Sequence, residues 1–282
     1  MRILITGSRG QLGSQLISLG GSEHQLYGYD LDMDITDAEK VQTEFARVEP
    51  QAVIHCAAYT DVDGCEDKVQ FTYDVNTTGT ENLVREAKKY DADFLFISSD
   101  YVFDGKKGSS YLETDQPHPI SVYGDSKYRA EKLVAEITDR HYIVRTTGIY
   151  SIYGKNFVDT VIKAARKKSS LSIVDDQICT PTFSLDLARC VYALIGTGVY
   201  GIYHATNGGQ CSWYQFTRYM LDIMDIDTKL EPVASSSLTR KARRPAYSVL
   251  QNFNLEENQI CFMRPWEEAL KDFLLNHYQA KP

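Results

Sequence analysis

The junction between RILIT at 2–6 and GSRGQLG at 7–13 constrains this 282-residue chain more than any other feature. A β-branched run that stops at a G-x-x-G-x-x-G turn and restarts as a helical stretch opens a βαβ unit. Gly7 would supply the tight turn, and Gly10 a backbone that approaches a pyrophosphate with no Cβ in the way. Gly13 would open the helix N-terminus, whose free N–H groups face the anion. Arg9, Gln11 and Leu12 lie inside the same turn. The bland alternative is an ordinary strand-to-helix connection, since glycine is common in turns.

The rest of the chain favours the first reading. Short apolar runs recur near 2–6, 26–29, 52–56, 94–98 and 142–145, with helical stretches between them. Leu12, Leu16 and Leu19, then Val41, Phe45 and Val48, then Leu83, Val84 and Ala87 are each spaced to cover a sheet face. The pattern predicts an α/β fold with a doubly wound parallel sheet over residues 1–147, part of 170–206 returning to it. Residues 148–282 read as a smaller mixed α/β domain. It has helices near 156–168, 212–225 and 265–278 and strands near 171–175 and 200–205. Ser212 with Gln215 forms a capping-box pattern, and Pro265 suits a first helical turn.

With 38 acidic against 30 basic residues, the net charge of -8 argues against a nucleic-acid partner. Six scattered cysteines with no C-x-x-C pair fit a reducing, cytoplasmic setting. No leader pattern opens the sequence, and no apolar stretch reaches the roughly eighteen residues of a membrane span. H-E-x-x-H, Cys/His clusters and the P-loop pattern are all missing, so neither metal-dependent hydrolysis nor P-loop chemistry is expected and no metal ligand is named, while a structural or dimer-bridging cation stays open.

Asp30 follows the second strand, where a carboxylate would accept hydrogen bonds from an adenosine ribose and favour NAD. Arg9 pulls the other way, because a guanidinium there could pair with the extra phosphate of NADP. Asp34 and Ile35 are placed to contact the adenine, although DIT equally suits a helix start. Tyr123 and Lys127, four apart in YGDSK, would project from one face of a helix over 123–136. A neighbouring ammonium lowers a phenol's pKa and lets it exchange protons. Ser98 and Ser99 end the fourth strand, where either hydroxyl could hold a substrate carbonyl. Asn76 could relay a proton through water to Lys127, or merely bend or cap its helix.

These residues together resemble a family, the dTDP-4-dehydrorhamnose reductases among the extended short-chain dehydrogenases, with their NAD(P)-binding Rossmann fold. The resemblance runs nearly end to end through GSRGQLG, AAYTDVDGCE at 57–66, SSDYVFDG at 98–105, YGDSK, DQICTPT at 176–182 and ARRPAYSVL at 242–250. It implies NADPH- or NADH-dependent reduction of a 4-keto nucleotide-sugar, with Ser99, Tyr123 and Lys127 catalytic. It assigns Ala57, Ala58 and Tyr59 to the cofactor, and Asn76 is a further candidate for the cofactor site. Asp100 and Tyr101 go to the sugar, and Asn156, Arg243 and Arg244 to the nucleotide and its diphosphate. A homodimer is compatible with it. One departure stands out: the family usually has Trp after the R-T-[ST] of the fifth strand, and this chain has Gly148, so an aromatic wall of the sugar site is expected to be missing. Two alternatives remain open, an epimerase or dehydratase of the same fold and a non-catalytic regulatory subunit. Ser99, Tyr123 and Lys127 speak against the second.

Overall fold

The computed structural model describes residues 1–279. Strands β1 (Arg2–Thr6), β2 (Gln25–Tyr29), β3 (Ala52–His55), β4 (Asp93–Ser99) and β5 (His141–Thr146) fall on the five runs read from the sequence. Helices α1 (Gln11–Gly20), α2 (Ala38–Val48), α3 (Val62–Asp67), α4 (Val69–Tyr73), α5 (Gly79–Lys89) and α6 (Val122–Ile137) lie between them. Downstream come β6 (Ile149–Tyr150), α7 (Phe157–Ala165), β7 (Ser170–Val174), β8 (Ile178–Cys179), β9 (Thr182–Phe183) and α8 (Ser184–Leu194). The chain continues through β10 (Gly201–His204), β11 (Cys211–Ser212), α9 (Trp213–Ile223), β12 (Lys229–Val233), α10 (Phe253–Glu257) and α11 (Trp266–Leu274).

The main sheet runs β10-β5-β4-β3-β1-β2, with every neighbouring pair parallel. Strand periodicity sorts its side chains between two layers. Ile3, Ile5, Ile54 and Leu95 pack with Leu12 and Leu16 of α1 and Leu187 and Val191 of α8. Leu4, Val53, Phe94 and Phe96 pack on the other face with Val41 and Phe45 of α2, Leu83 and Val84 of α5 and Val134 of α6. Because the chain leaves β1 toward β2 on one side and reaches β3 on the other, a crevice opens at the carboxyl ends of these strands.

A third core, built on Val158, Ile162, Phe216, Met220, Leu270 and Phe273, belongs to the second half of the chain. There β7 pairs with β12 in a small separate parallel sheet, so only β10 of the two later strands expected near 171–175 and 200–205 extends the main one. The capping box on α9 is present, with Ser212 Oγ accepting from Gln215 N and Gln215 Oε1 accepting from Ser212 N. Pro265 sits just ahead of α11 rather than in its first turn, because Trp266 N donates to Gly208 O and holds the chain extended there. Among the described residues no helix is long and apolar enough to cross a membrane.

Candidate active site

The glycine turn closes on itself so tightly that two of its positions admit no side chain. Gly7 has φ +65°, and a Cβ there would lie 2.7 Å from Ala57 N; one at Gly13 would lie 2.1 Å from Gly7 O. Gly13 thus serves close packing of α1 on the turn as much as anion access. No side chain caps α1 and no acidic residue occupies its first turn, which leaves its N-terminal amides to an anion. This uncapped cradle fits a dinucleotide pyrophosphate. It opens into a cavity of about 1120 Å³ lined by Gly7, Arg9, Gly10, Gln11, Leu12 and Gly13, by Asp30, Asp34 and Ile35, and by Ala57, Ala58 and Tyr59.

Both residues expected at an adenosine end, Asp30 and Arg9, line the cavity. Asp30 accepts hydrogen bonds from Arg9 N and Leu31 N, each at 3.0 Å, which fixes its carboxylate at the cavity edge. Arg9 itself is exposed. Asp34 accepts from both Thr36 N and Thr36 Oγ1, and the cap of α2 is Asp37, so the helix start lies beyond DIT. Replacing Asp30 by Ala is expected to raise KM for NADH more than for NADPH, since only the diol form relies on that carboxylate. Equal changes in steady-state assays with the two cofactors would remove Asp30 from ribose recognition.

The loop after β3 is held from beneath by a buried relay of hydrogen bonds. Thr80 Oγ1 donates to Asn76 O, so His55 Nε2 donates to Thr80 Oγ1 at 2.9 Å, and His55 Nδ1 accepts from Thr6 Oγ1 at 2.7 Å. Thr6 Oγ1 in turn accepts from Ala57 N. Burial, reinforced by the Lys127 charge, holds His55 well below its ordinary pKa, so the ring stays neutral in this role.

Helix α6 begins at a Ser121 cap whose Oγ accepts from Gly124 N, and its first two turns carry Tyr123 and Lys127 into the cavity. Burial drives the Tyr123 phenol above the ordinary tyrosine pKa; the Ser99 hydroxyl opposes the rise and Asp100 adds to it. Tyr101 packs edge-on against the Tyr123 ring, with centroids 5.7 Å apart. Lys127 is buried with Nζ 4.0 Å from the Phe96 ring centroid. Burial brings its pKa down to about 7, against the attraction of Glu131.

The two serines at the end of β4 part company. Ser98 Oγ donates to Glu131 Oε1 at 2.5 Å, beneath the site, where Arg145 also holds that carboxylate with two hydrogen bonds. Ser99 Oγ accepts from Tyr101 N and donates to Asp100 Oδ1, on the Tyr123 side. Both serines line the cavity, and Ser99 is the one whose hydroxyl lies beside Tyr123. Asp100 is buried and also accepts from Thr147 Oγ1 at 2.9 Å; burial pushes its carboxyl up to about 6, against the pull of Ser248, Thr147 and Ser99.

Three expected residues do not reach the cavity wall. Asn76 sits in a widened π-type turn, Asp74–Thr78, and commits its carboxamide to Tyr59 N, Tyr59 O and Ser126 Oγ. With both amide protons used, it clasps the Tyr59 loop rather than relaying a proton to Lys127. Asn156 is buried as the cap of α7, accepting from Asp159 N and donating to Ser151 O. Arg243 and Arg244 do not form a fork, because adjacent residues in extended chain point apart. Arg244 lines the cavity and pairs with Asp63 at 2.9 Å, which holds that carboxyl down to about 2, whereas Arg243 is exposed.

Other lining residues come from elements that sequence spacing does not connect to the site: Lys155, Gln177, Ser248 and Trp213. The expected gap beside Gly148 is not a gap. The Trp213 ring reaches it from α9, its Cη2 lying 3.2 Å from where a Cβ of residue 148 would stand.

The comparisons with known proteins agree with this geometry. The family model described as RmlD substrate binding domain matches residues 1–279. The chain is 37% identical over 285 residues to the spore coat polysaccharide biosynthesis protein SpsK of Bacillus subtilis (strain 168), covering 99% of each. It is 34% identical to a dTDP-4-dehydrorhamnose reductase of Aggregatibacter actinomycetemcomitans, over 96% of this chain and 97% of that one. The crystal structure of the Bacillus anthracis str. Ames dTDP-4-dehydrorhamnose reductase in complex with NADP superposes with a TM-score of 0.95 at 38% identity, covering 98% of this chain and 99% of that one. A glycine cradle at the end of β1, a tyrosine and lysine one helical turn apart and end-to-end similarity converge: the chain belongs to the dTDP-4-dehydrorhamnose reductase family of the extended short-chain dehydrogenases.

Proposed function

We propose that this chain is an NAD(P)H-dependent oxidoreductase that converts the 4-keto group of a dTDP-linked sugar to the alcohol, dTDP-4-dehydro-L-rhamnose to dTDP-L-rhamnose. The observation that carries the reading is that Ser99, Tyr123 and Lys127 line the same cavity as the uncapped glycine cradle. When bound, the reduced nicotinamide supplies the hydride. The chain's own residues do the rest. Ser99 turns its one hydroxyl proton from Asp100 Oδ1 to the ketone oxygen and orients it. Tyr123, kept protonated by burial, delivers its proton to that oxygen as the carbonyl carbon is reduced. Lys127, in its protonated form, stabilises the phenolate left behind.

Arg244, which lines the cavity and pairs with Asp63, would meet the substrate's diphosphate. In this reading residues 1–147 with the α8–β10 segment form the cofactor-binding part, the remainder forms most of the substrate-binding part, and the enzyme works in the cytoplasm. The test is spectrophotometric: NADPH or NADH absorbance should fall in proportion to dTDP-4-dehydro-L-rhamnose added. Interconversion of nucleotide-sugars with only catalytic cofactor would make it an epimerase or dehydratase instead. Turnover no faster than background would defeat an enzymatic role.

A further inference from the structure

Strand β5 ends beside β4, with Thr146 paired to Ser99, and Thr147 then binds Asp100. The next residue on this cavity wall is therefore close to the reacting end of the site. It is Gly148, with φ +55°, and a Cβ there would stand 3.2 Å from both Pro181 Cα and Trp213 Cη2. The backbone conformation disfavours a side chain, and the space one would enter is already filled by an indole edge.

Trp213 is held in that position on several sides. It is the first residue of α9, directly after the capping box, and Ser212 Oγ is further tied to Asp175. Its ring leans on Phe157, with centroids 4.6 Å apart, and meets Phe216 edge-on at 6.0 Å. It remains only half-buried and lines the cavity. An indole fixed by packing presents a rigid apolar surface, and a hexose presents apolar C–H faces between its hydroxyls. A 6-deoxy sugar adds a methyl group. Stacking the two removes apolar area from water with no polar group left unpaired.

We infer that Trp213 is the specificity-determining aromatic wall of the sugar subsite, stacking on the C–H face of the 6-deoxyhexose, and that Gly148 is the spacer that admits it. The inference rests on the function proposed above for the identity of the ligand. It makes the wall a property of the second half of the chain, so the sugar is gripped between α9 and the Ser99–Tyr123 side.

The protein's composition supplies a direct probe. It has two tryptophans, and the other, Trp266, is buried in the core of the second half. Ligand-dependent change in tryptophan emission therefore reports on Trp213. Saturation of the wild-type enzyme with dTDP-L-rhamnose should change the emission more than saturation with dTDP alone, and Trp213→Phe should lose that difference. Trp213→Ala should weaken dTDP-L-rhamnose about tenfold or more, the size expected for a lost stacking contact, with dTDP and NADPH affinities nearly unchanged. Trp213→Phe should recover part of the loss. Gly148→Leu, which crowds the indole without bringing an aromatic ring of its own, should mimic Trp213→Ala.

Retained dTDP and NADPH binding marks each variant as folded; if Trp213→Ala is not, Trp213→Phe and the wild-type emission decide the matter. Emission indifferent to the sugar, or equal weakening of dTDP and dTDP-L-rhamnose in Trp213→Ala, would overturn the inference. Failure of the function reads differently: the sugar would bind and perturb Trp213 but no 4-keto sugar would be reduced.

Discussion

Tyr123→Phe is expected to lower turnover by about two to four orders of magnitude, the range for loss of a positioned general acid, while leaving NADPH affinity nearly unchanged. The reason lies in what the substitution removes. Tyr123 is packed against Tyr101 inside the cavity, so a phenylalanine ring fits the same space and only the hydroxyl is lost. Burial holds the phenol protonated across the neutral range, which is the state that a reduction consumes. Without it, the developing alkoxide must take its proton from water. A single-turnover assay with saturating NADPH isolates this step; near wild-type rates would reassign the acid.

The second large effect is expected in stability. Glu131 and Arg145 are buried beneath Lys127, exposed by 3% and 2% of their side-chain surface, and joined by two hydrogen bonds of 2.9 and 2.7 Å. Ser98 completes the carboxylate's partners, while the Arg145 guanidinium lies over the Phe103 ring. Glu131→Leu would leave a guanidinium buried without its counter-charge, at a cost of about 3–5 kcal/mol in denaturant unfolding. Glu131→Leu with Arg145→Met should recover most of that loss, because removing both ions also removes both desolvation penalties. A loss below about 1 kcal/mol in the single variant would mean that water reaches the pair. Since Glu131 also supports the charge on Lys127, the single variant should shift the pH profile of turnover toward lower pH wherever enough protein stays folded.

Much of the site was legible because its main parts are local. A glycine turn, its flanking strand and helix, and a tyrosine and lysine four apart on α6 are each encoded within a few residues. Asp30 and Ser99 follow as strand ends, which the periodicity locates to within a residue or two. The expected residues that lie off the cavity wall share another property. Asn76 and Asn156 are polar residues near helix starts, equally suited to a ligand or to backbone amides, and their surroundings provide the amides. Arg243 and Arg244 look equivalent in the chain, but Asp63 from α3 claims only one of them.

The linear order of residues was thus enough for the parallel sheet, the glycine turn and a tyrosine and lysine on one helix face, since strand and helix periods act over distances shorter than one element. Which serine is tied to Glu131, which arginine enters the cavity and what stands beside Gly148 depended on segments far apart in the chain. Trp213 is the clearest instance: 65 residues beyond Gly148 in number, it lies against it in space because α9 packs on α7 through Phe157 and Phe216. No local pattern encodes such a contact, because it is set by the packing of one core against another.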